Sequence, residues 1–421
     1  MAKFYSRETP PSADVVVIGG GPAGASAVWA LECASPGLRT VLIEKGAQLA
    51  SGASNASLEN YRTCWSSVCN SRMMRRSVDI FHHAKDVLDA DIGVKERGYL
   101  FLGFNAKQAD GLRSDVAHLH DIGLTHVEYL DTDELHARFP YVGRAIAGKY
   151  DPIAGWLDSH ALVYAFAKNA PLCQVVLDVA ETRIEVESGR VVGVWTPYGH
   201  ISTPNVIIAA GAGARQVGRT TGVELPIVVR PRQSFTTPWR HEAFPEHAPM
   251  LISSAPFAHV RPEAQTGAIF GHEYGWNNKH LKADGEPVRD YLIDPIYPVD
   301  SLKDPRFPSV TLAILARQFG GSFDNPRYLR GVDHRINYYV YREHSHHSQR
   351  AIIDAWREID GLYLSIAHVG HGIMSSPAAG EIIAAKVLNL PLSDPSYADF
   401  GVDVPFVEYD SGGLSGEVNS D

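Results

Sequence analysis

The sequence lacks long apolar runs, and none reaches the eighteen residues that a membrane-crossing helix requires. Residues 1–14 are polar and proline-containing, without the apolar centre or small-residue cleavage site of a signal peptide. Cysteine is scarce. Cys33, Cys64, Cys69 and Cys173 are too few and too scattered for a disulfide framework, and the five-residue step from Cys64 to Cys69 is not a CxxC spacing. Positive charge is thin as well: 38 Lys and Arg stand against 48 Asp and Glu, a formal net charge of −10, and no block of five basic residues occurs. That balance excludes a general electrostatic pull toward nucleic acid or anionic membrane. Arg72, Arg75 and Arg76 are spaced as one turn of a solvated helix. These absences predict a cytoplasmic protein with free thiols, no membrane insertion and no nucleic-acid partner.

What is present is ordinary globular material. The 421 residues, 45% hydrophobic and 20% charged, suffice for two domains with a sizeable core. Residues 14–18 form a continuous apolar run ending in glycines, which reads as a buried parallel strand. A small-residue helix at 23–34 and a strand at Val41–Ile43 complete a βαβ unit. A Ser/Gly/Asn loop at 51–57 precedes a helical stretch through Leu88. Residues 160–170 read as a helix, followed by short strands at 175–179, 182–187, 190–196 and 200–202 and a buried one at 205–210, with a hairpin turn at Ser188-Gly189. Between 226 and 330 the alternation in Ser234–Thr237 and Thr311–Ala316 predicts an antiparallel sheet. Gly361–Ile366 is the last clear strand and Pro377 to Leu388 the last long helix, with Pro377 at its first position after Ser376. The Gly/Ser/Asp-rich residues 410–421 read as a disordered tail.

One motif carries chemistry. Gly19-Gly20-Gly21-Pro22-Ala23-Gly24 contains G-x-G-x-x-G directly after a strand and at the start of a helix. Gly19 permits the tight turn, Gly21 lets the backbone approach a pyrophosphate, and Gly24 allows close helix–strand packing. The helix amino terminus offers N–H groups and a positive dipole to the phosphates. Glu44 stands 20 residues beyond Gly24, at the end of the second strand, where a carboxylate accepts both ribose hydroxyls and disfavours a 2′-phosphate. This loop predicts FAD or NAD and does not choose between them.

Four segments together resemble the D-amino-acid oxidase superfamily of flavoproteins, which includes glycine oxidase and sarcosine oxidase. They are Asp14–Glu44; the loop Ser51-Gly52-Ala53-Ser54-Asn55-Ala56; Gly155-Trp156-Leu157-Asp158 with the meander ending in Val206–Ala212; and Gly361–Tyr363 through Gly370-His371-Gly372-Ile373 to Pro377–Gly380. The resemblance implies an α/β fold (α+β overall). A Rossmann-like FAD-binding domain is assembled from 12–80, 150–225 and 335–400, and an antiparallel-sheet substrate domain from 81–149 and 226–334. It also implies FAD contacts from Gly19, Gly21, Pro22, Ala23 and Gly24, from Glu44 and Lys45, and from Ser51, Ser54 and Asn55. Ala210 and Gly211, and the run Gly370, His371, Gly372, Ile373 and Met374, complete the expected cofactor site. A helix dipole aimed at the flavin pyrimidine stabilises the negative charge of the reduced flavin.

Departures from the family pattern are informative. Covalent members attach flavin to a late cysteine or to a histidine in the early loop. Here no cysteine follows Cys173 and no histidine lies between Glu44 and His82, which implies non-covalent FAD. Where many relatives carry Asp…Pro…Gly before the last strand, this chain has Arg342-Glu343-His344-Ser345-His346-His347-Ser348. That segment reads as a polar loop, not a metal site, because its spacing is not HExxH.

The resemblance implies oxidation of the C–N bond of an amino acid or N-alkyl amine, the hydride passing to flavin N5 and oxygen or another carrier reoxidising the flavin. Such chemistry needs orientation and exclusion of water more than acid–base machinery. A substrate carboxylate needs a guanidinium fork, and Arg62 resembles an arginine that approaches the flavin in sarcosine oxidase-like members. His272, Tyr274 and Tyr339 are the further catalytic candidates, with Tyr338 and Tyr341 as possible pocket walls and Lys279 as a candidate charge for reoxidation. Two rivals remain open. An FAD/NADPH-dependent monooxygenase has a Gly-Asp-Ala-Ala-His type segment, whereas Ala367–Gly372 lacks the aspartate. A flavin-bound non-catalytic interaction protein sits poorly with an aromatic-rich second domain.

Overall fold

The structure is a computed structural model that describes residues 3–273, 291–343 and 349–405. Val15–Ile18 and Thr40–Ile43 are wholly buried apolar strands, the pattern of strands covered on both faces. They pair in parallel at the centre of a seven-stranded sheet. From one edge its order is Lys3–Ser6, Gln174–Leu177, Thr40–Ile43, Val15–Ile18, Val206–Ile208, Leu362–Ile366 and Ile352–Ala355. Only the last pair is antiparallel. The chain leaves Val15–Ile18 toward one side and later returns on the other, so this strand marks the switch point at whose carboxyl end such sheets bind ligands. The polar amino terminus holds an edge strand that its composition does not announce: parallel pairing with Gln174–Leu177 places it there.

The helices Pro22–Ala34 and Gly372–Val387 pack together on one face of this sheet, with Val15, Val17, Val28, Leu31 and Ile383 in their shared core. Their closest approach depends on Gly380, where a Cβ would lie 2.5 Å from the Ser26 carbonyl oxygen. The other face carries the three-stranded meander Arg183–Glu187, Arg190–Thr196 and Gly199–Ser202. Its first turn, Ser188-Gly189, has φ of 50° and 77°, as a tight hairpin requires.

The second sheet has eight strands in the order Asp333–Arg342, Ile227–Thr237, Gly267–Gly271, His259–Glu263, Met250–Ile252, Tyr99–Gly103, Ala147–Asp151 and Glu128–Leu130. Pairing is antiparallel except between Met250–Ile252 and Tyr99–Gly103. Asp333–Arg342 runs in this second sheet, beyond the 335 boundary read from the sequence.

Two expectations are corrected. Thr311–Ala316 lies not in a strand but in the helix Phe307–Phe319. Its buried positions Phe307, Thr311, Leu312, Leu315 and Phe319 follow helical spacing, and six residues of apparent alternation are too short a window to outweigh that period. The last helix begins at Gly372, so Pro377 lies inside it. Proline leaves the Ile373 carbonyl without its usual i+4 donor, and the Ser376 hydroxyl donates to that carbonyl at 2.8 Å instead. The tail at 410–421 lies outside the described residues.

Candidate active site

The glycine loop turns immediately after Val15–Ile18. Gly19 has φ of 121°, and a side chain there would strike the Ala209 carbonyl, so the loop lies against the end of Val206–Ile208. A Cβ on Gly24 would run into the Gly19 carbonyl, whereas one on Gly21 would meet nothing within 4 Å. Gly21 therefore faces open space at the start of the helix, with Pro22 in the first turn and no side-chain cap. Ala23 follows in the same turn. Glu44 is buried beside the loop, accepting from the Gly20 amide at 2.8 Å and from the Gly46 amide at 2.7 Å. Lys45 places its Nζ 4.9 Å from the centre of the Tyr297 ring.

The loop at 51–57 joins the two sheets. Ser51 Oγ lies 3.5 Å from Glu44 Oε1, and Ser54 and Asn55 sit in the short 3-10 turn Ala53–Ala56. The Asn55 carbonyl accepts from Arg335 at 3.2 Å and the Ala56 carbonyl from the Ser234 hydroxyl at 3.0 Å. Ala210 and Gly211 begin the turn after Val206–Ile208, with Gly211 at φ 52°.

The last helix is entered through Gly370-His371. The Val369 amide donates to the Val340 carbonyl at 3.0 Å, drawing this entry onto the strand Asp333–Arg342. A side chain on Gly370 would collide with the Tyr339 ring, so glycine admits that tyrosine. Gly372, Ile373 and Met374 form the first turn, the latter two buried. His371 is buried, and its Nε2 has no hydrogen-bond partner. Its ring bonds the Gln349 carbonyl, which requires the proton on Nδ1 and leaves Nε2 as the acceptor. Burial holds His371 well below the ordinary histidine value, with His368 and Arg62 adding to the effect. His368 lies between the Ser365 and Ser375 hydroxyls, and burial brings it down to about 4.

Arg62 is buried next to this entry. Its Nη1 donates to the Cys64 carbonyl at 2.6 Å, and its guanidinium carbon lies 3.8 Å from the centre of the Trp65 ring. Phe101 and Tyr99 stand farther off, at 5.3 and 6.0 Å. The Trp65 ring also meets His371 edge-on, with centres 4.7 Å apart. Trp65 thus contacts both Arg62 and His371, and the three form one contiguous column of side chains. Trp65 is absent from the sequence reading: nothing but its position three residues after Arg62 pointed to it.

Tyr339 and Tyr341 lie on the sheet face that carries Arg230 and Arg232. The register sets Arg230 opposite Tyr339, and Arg232 reaches the Tyr341 hydroxyl at 3.3 Å and Glu273 at 3.2 Å. Burial raises both tyrosines, keeping them protonated. Tyr338 points to the other face, where its hydroxyl donates to the Ile296 carbonyl at 2.7 Å. His272 is not brought to this group. It stacks on Phe307 at 4.4 Å and bonds Thr311 at 2.8 Å, engaged by the helix Phe307–Phe319, and burial brings it down to about 4. Tyr274 and Lys279 lie outside the described residues, as do His344, His346 and His347. Glu343 is described and pairs with Arg215 at 2.6 Å. Among the described residues there is no group of three metal-ligating side chains, and no helix long and apolar enough to cross a membrane.

A glycine loop with open space at Gly21, a buried carboxylate beside it and an unpartnered buried His371 Nε2 at a second helix entry fit an extended dinucleotide. Comparison with known proteins agrees. Residues 14–386 match the family described as "FAD dependent oxidoreductase". The chain is 25% identical over 281 residues to the mitochondrial dimethylglycine dehydrogenase of Rattus norvegicus, covering 63% of this chain but 32% of that protein, about a third of its length. It is 22% identical to the sarcosine oxidase subunit beta of Rhizobium meliloti (strain 1021), covering 89% of this chain and 84% of that one. Among solved structures, L-proline dehydrogenase from P. horikoshii matches with a TM-score of 0.75 at 21% identity, covering 94% of this chain and 98% of that one. Glycine oxidase from Geobacillus kaustophilus also matches with a TM-score of 0.75, at 19% identity, covering 94% and 100%. These likenesses share the α/β fold with its Rossmann-like domain. The cofactor is FAD, and the chain is an enzyme belonging to the FAD-dependent oxidoreductase family that includes sarcosine and glycine oxidases.

Proposed function

We propose that this enzyme oxidises the C–N bond of an amino acid or N-alkyl amino acid to an imine, which hydrolyses. The observation that carries the reading is the buried Arg62 guanidinium, stacked on Trp65 in one column with His371 at the entry of the last helix. A buried fork of this kind suits a carboxylate, and the Trp65 ring packed against it restricts its movement. The names of the relatives, dehydrogenases and oxidases of dimethylglycine, sarcosine, proline and glycine, support a carboxylated amine.

In this reading Arg62 binds the substrate carboxylate and so fixes which C–H bond next to nitrogen is presented. Trp65, Tyr339 and Tyr341 are aromatic walls that keep water from the reacting carbon. His371, neutral at physiological pH, adds no positive charge to repel the donor nitrogen. Bound FAD, held non-covalently at Gly19–Gly24, Glu44 and the 370–374 segment, supplies the two-electron acceptor. Oxygen or another carrier then restores the oxidised enzyme.

The test is anaerobic: follow the flavin absorbance while adding a panel of amino acids and N-methyl amines. Bleaching by a carboxylated amine is expected, and readmission of air distinguishes an oxidase from a dehydrogenase. A yellow protein that no amine bleaches overturns the proposal. With a substrate found, Arg62→Ala is expected to raise KM by roughly 100-fold, the worth of a charge-assisted fork, while FAD content is unchanged.

A further inference from the structure

Arg62 does not hold itself in place. It is followed by a tight turn whose backbone converges on one carboxylate. The Thr63 amide donates to Asp151 Oδ2 at 2.8 Å, the Cys64 amide to the same oxygen at 3.2 Å, and the Thr63 hydroxyl to it at 2.8 Å. Asp151 is fully buried, at the end of the strand Ala147–Asp151 and in register with Tyr99. His126 braces the far side: its Nε2 lies 2.8 Å from Thr63 Oγ1 and 3.5 Å from Asp151 Oδ1. Burial works to raise Asp151, yet the interaction with His126 and the hydrogen bonds from Thr63 outweigh it, leaving the carboxyl below its ordinary value and ionised.

The turn so held is the one that Arg62 uses. Arg62 Nη1 bonds the carbonyl of Cys64, whose amide Asp151 grips, and Arg62 stacks on Trp65, the next residue. The strand that bears Asp151 pairs with Tyr99 and Phe101, whose rings lie within 6.0 Å of the guanidinium carbon. We propose that Asp151 is a positioning residue for substrate binding: by clamping the Thr63–Cys64 amides it sets the place and plane of the Arg62 fork that receives the substrate carboxylate. The proposal rests on the reading of Arg62 given above. A buried charge accepting consecutive amides is costly to desolvate, and replacing it by a neutral side chain loosens the turn even where shape is kept.

The test is a double-mutant cycle on the FAD-loaded enzyme with acetate as the probe, its binding read from the visible flavin spectrum. D151N is expected to weaken acetate about tenfold, as loss of charge-assisted hydrogen bonds predicts. In the Arg62→Ala background it should have no further effect, because the group it positions is gone. Equal weakening in both backgrounds overturns the inference. So does normal acetate binding by D151N when Arg62→Ala is impaired. Unchanged binding by Arg62→Ala itself overturns the assignment of Arg62, a separate result. A crystal structure of D151N needs no ligand and decides the matter independently: the guanidinium displaced from the Trp65 face supports the inference, and an unmoved Arg62 with an intact 62–65 turn overturns it.

Discussion

The Arg62 guanidinium carbon lies 3.8 Å from the centre of the Trp65 ring, and the same indole meets His371 edge-on at 4.7 Å. Arg62 and Trp65 are three positions apart in sequence, but His371 reaches them only through the fold. Cation–π stacking of this closeness contributes roughly 0.5–2 kcal/mol. Trp65→Leu is expected to raise substrate KM about 3- to 30-fold with a smaller change in kcat, as measured by steady-state kinetics. Trp65→Phe, which keeps a ring face, should fall between it and the parent. Equal KM for all three would show that the stack does not orient the fork.

Gly21 and Gly24 belong to one motif but carry different loads. A Cβ on Gly24 strikes the Gly19 carbonyl, so Gly24→Ala should destabilise the FAD-free protein by about 2 kcal/mol or more. A Cβ on Gly21 meets no protein atom within 4 Å, so Gly21→Ala should leave the melting temperature of the FAD-free protein unchanged. It should nevertheless weaken FAD at least roughly tenfold, because backbone approach to the pyrophosphate is lost. Thermal melts of the FAD-free variants and FAD titration separate the two effects.

Stability should depend on His368. Its folded value of about 4 lies below the roughly 6.5 of an unfolded histidine, so below that higher value the unfolded chain binds the proton more readily. The stability contribution is present in full above pH 6.5 and is lost as pH falls toward 4, at about 1.4 kcal/mol per unit. Melting temperatures of the enzyme and of His368→Gln at pH 8 and pH 5 are the check. The drop between the two pH values should be smaller in the variant, whatever its absolute stability.

The proposed non-covalent attachment makes a simple prediction about colour. The early loop holds no histidine, and Tyr339 rather than a cysteine packs on Gly370. Acid precipitation should release all the yellow colour into the supernatant. A coloured pellet after washing would establish a covalent bond that the sequence reading did not foresee.

The proposed dinucleotide half of the candidate site was legible in the sequence because its parts are local. Gly19 to Gly24 and Glu44 lie within one βαβ unit, where strand, turn and helix follow from apolar runs and glycine spacing alone. The meander from 183 to 202 was equally readable, since neighbours in sequence are neighbours in space. Segment type failed where the local pattern was short or a side chain changed the rule. Thr311–Ala316 alternated too briefly to outweigh a helical period, and Ser376 supplied the hydrogen bond that let Pro377 sit inside a helix.

The proposed substrate half was decided by tertiary structure. Arg62 could be singled out from its place after the loop, but its partners could not. Trp65 became part of the column through His371, 306 positions away, and Asp151 through the end of an inner strand in a sheet assembled from residues 99 to 342. His272 left the group because the helix Phe307–Phe319 holds its ring. A motif whose members are bound by backbone continuity is written along the chain. A pocket built from side chains on several strands depends on pairing register and packing, and those are settled only when the whole chain has folded.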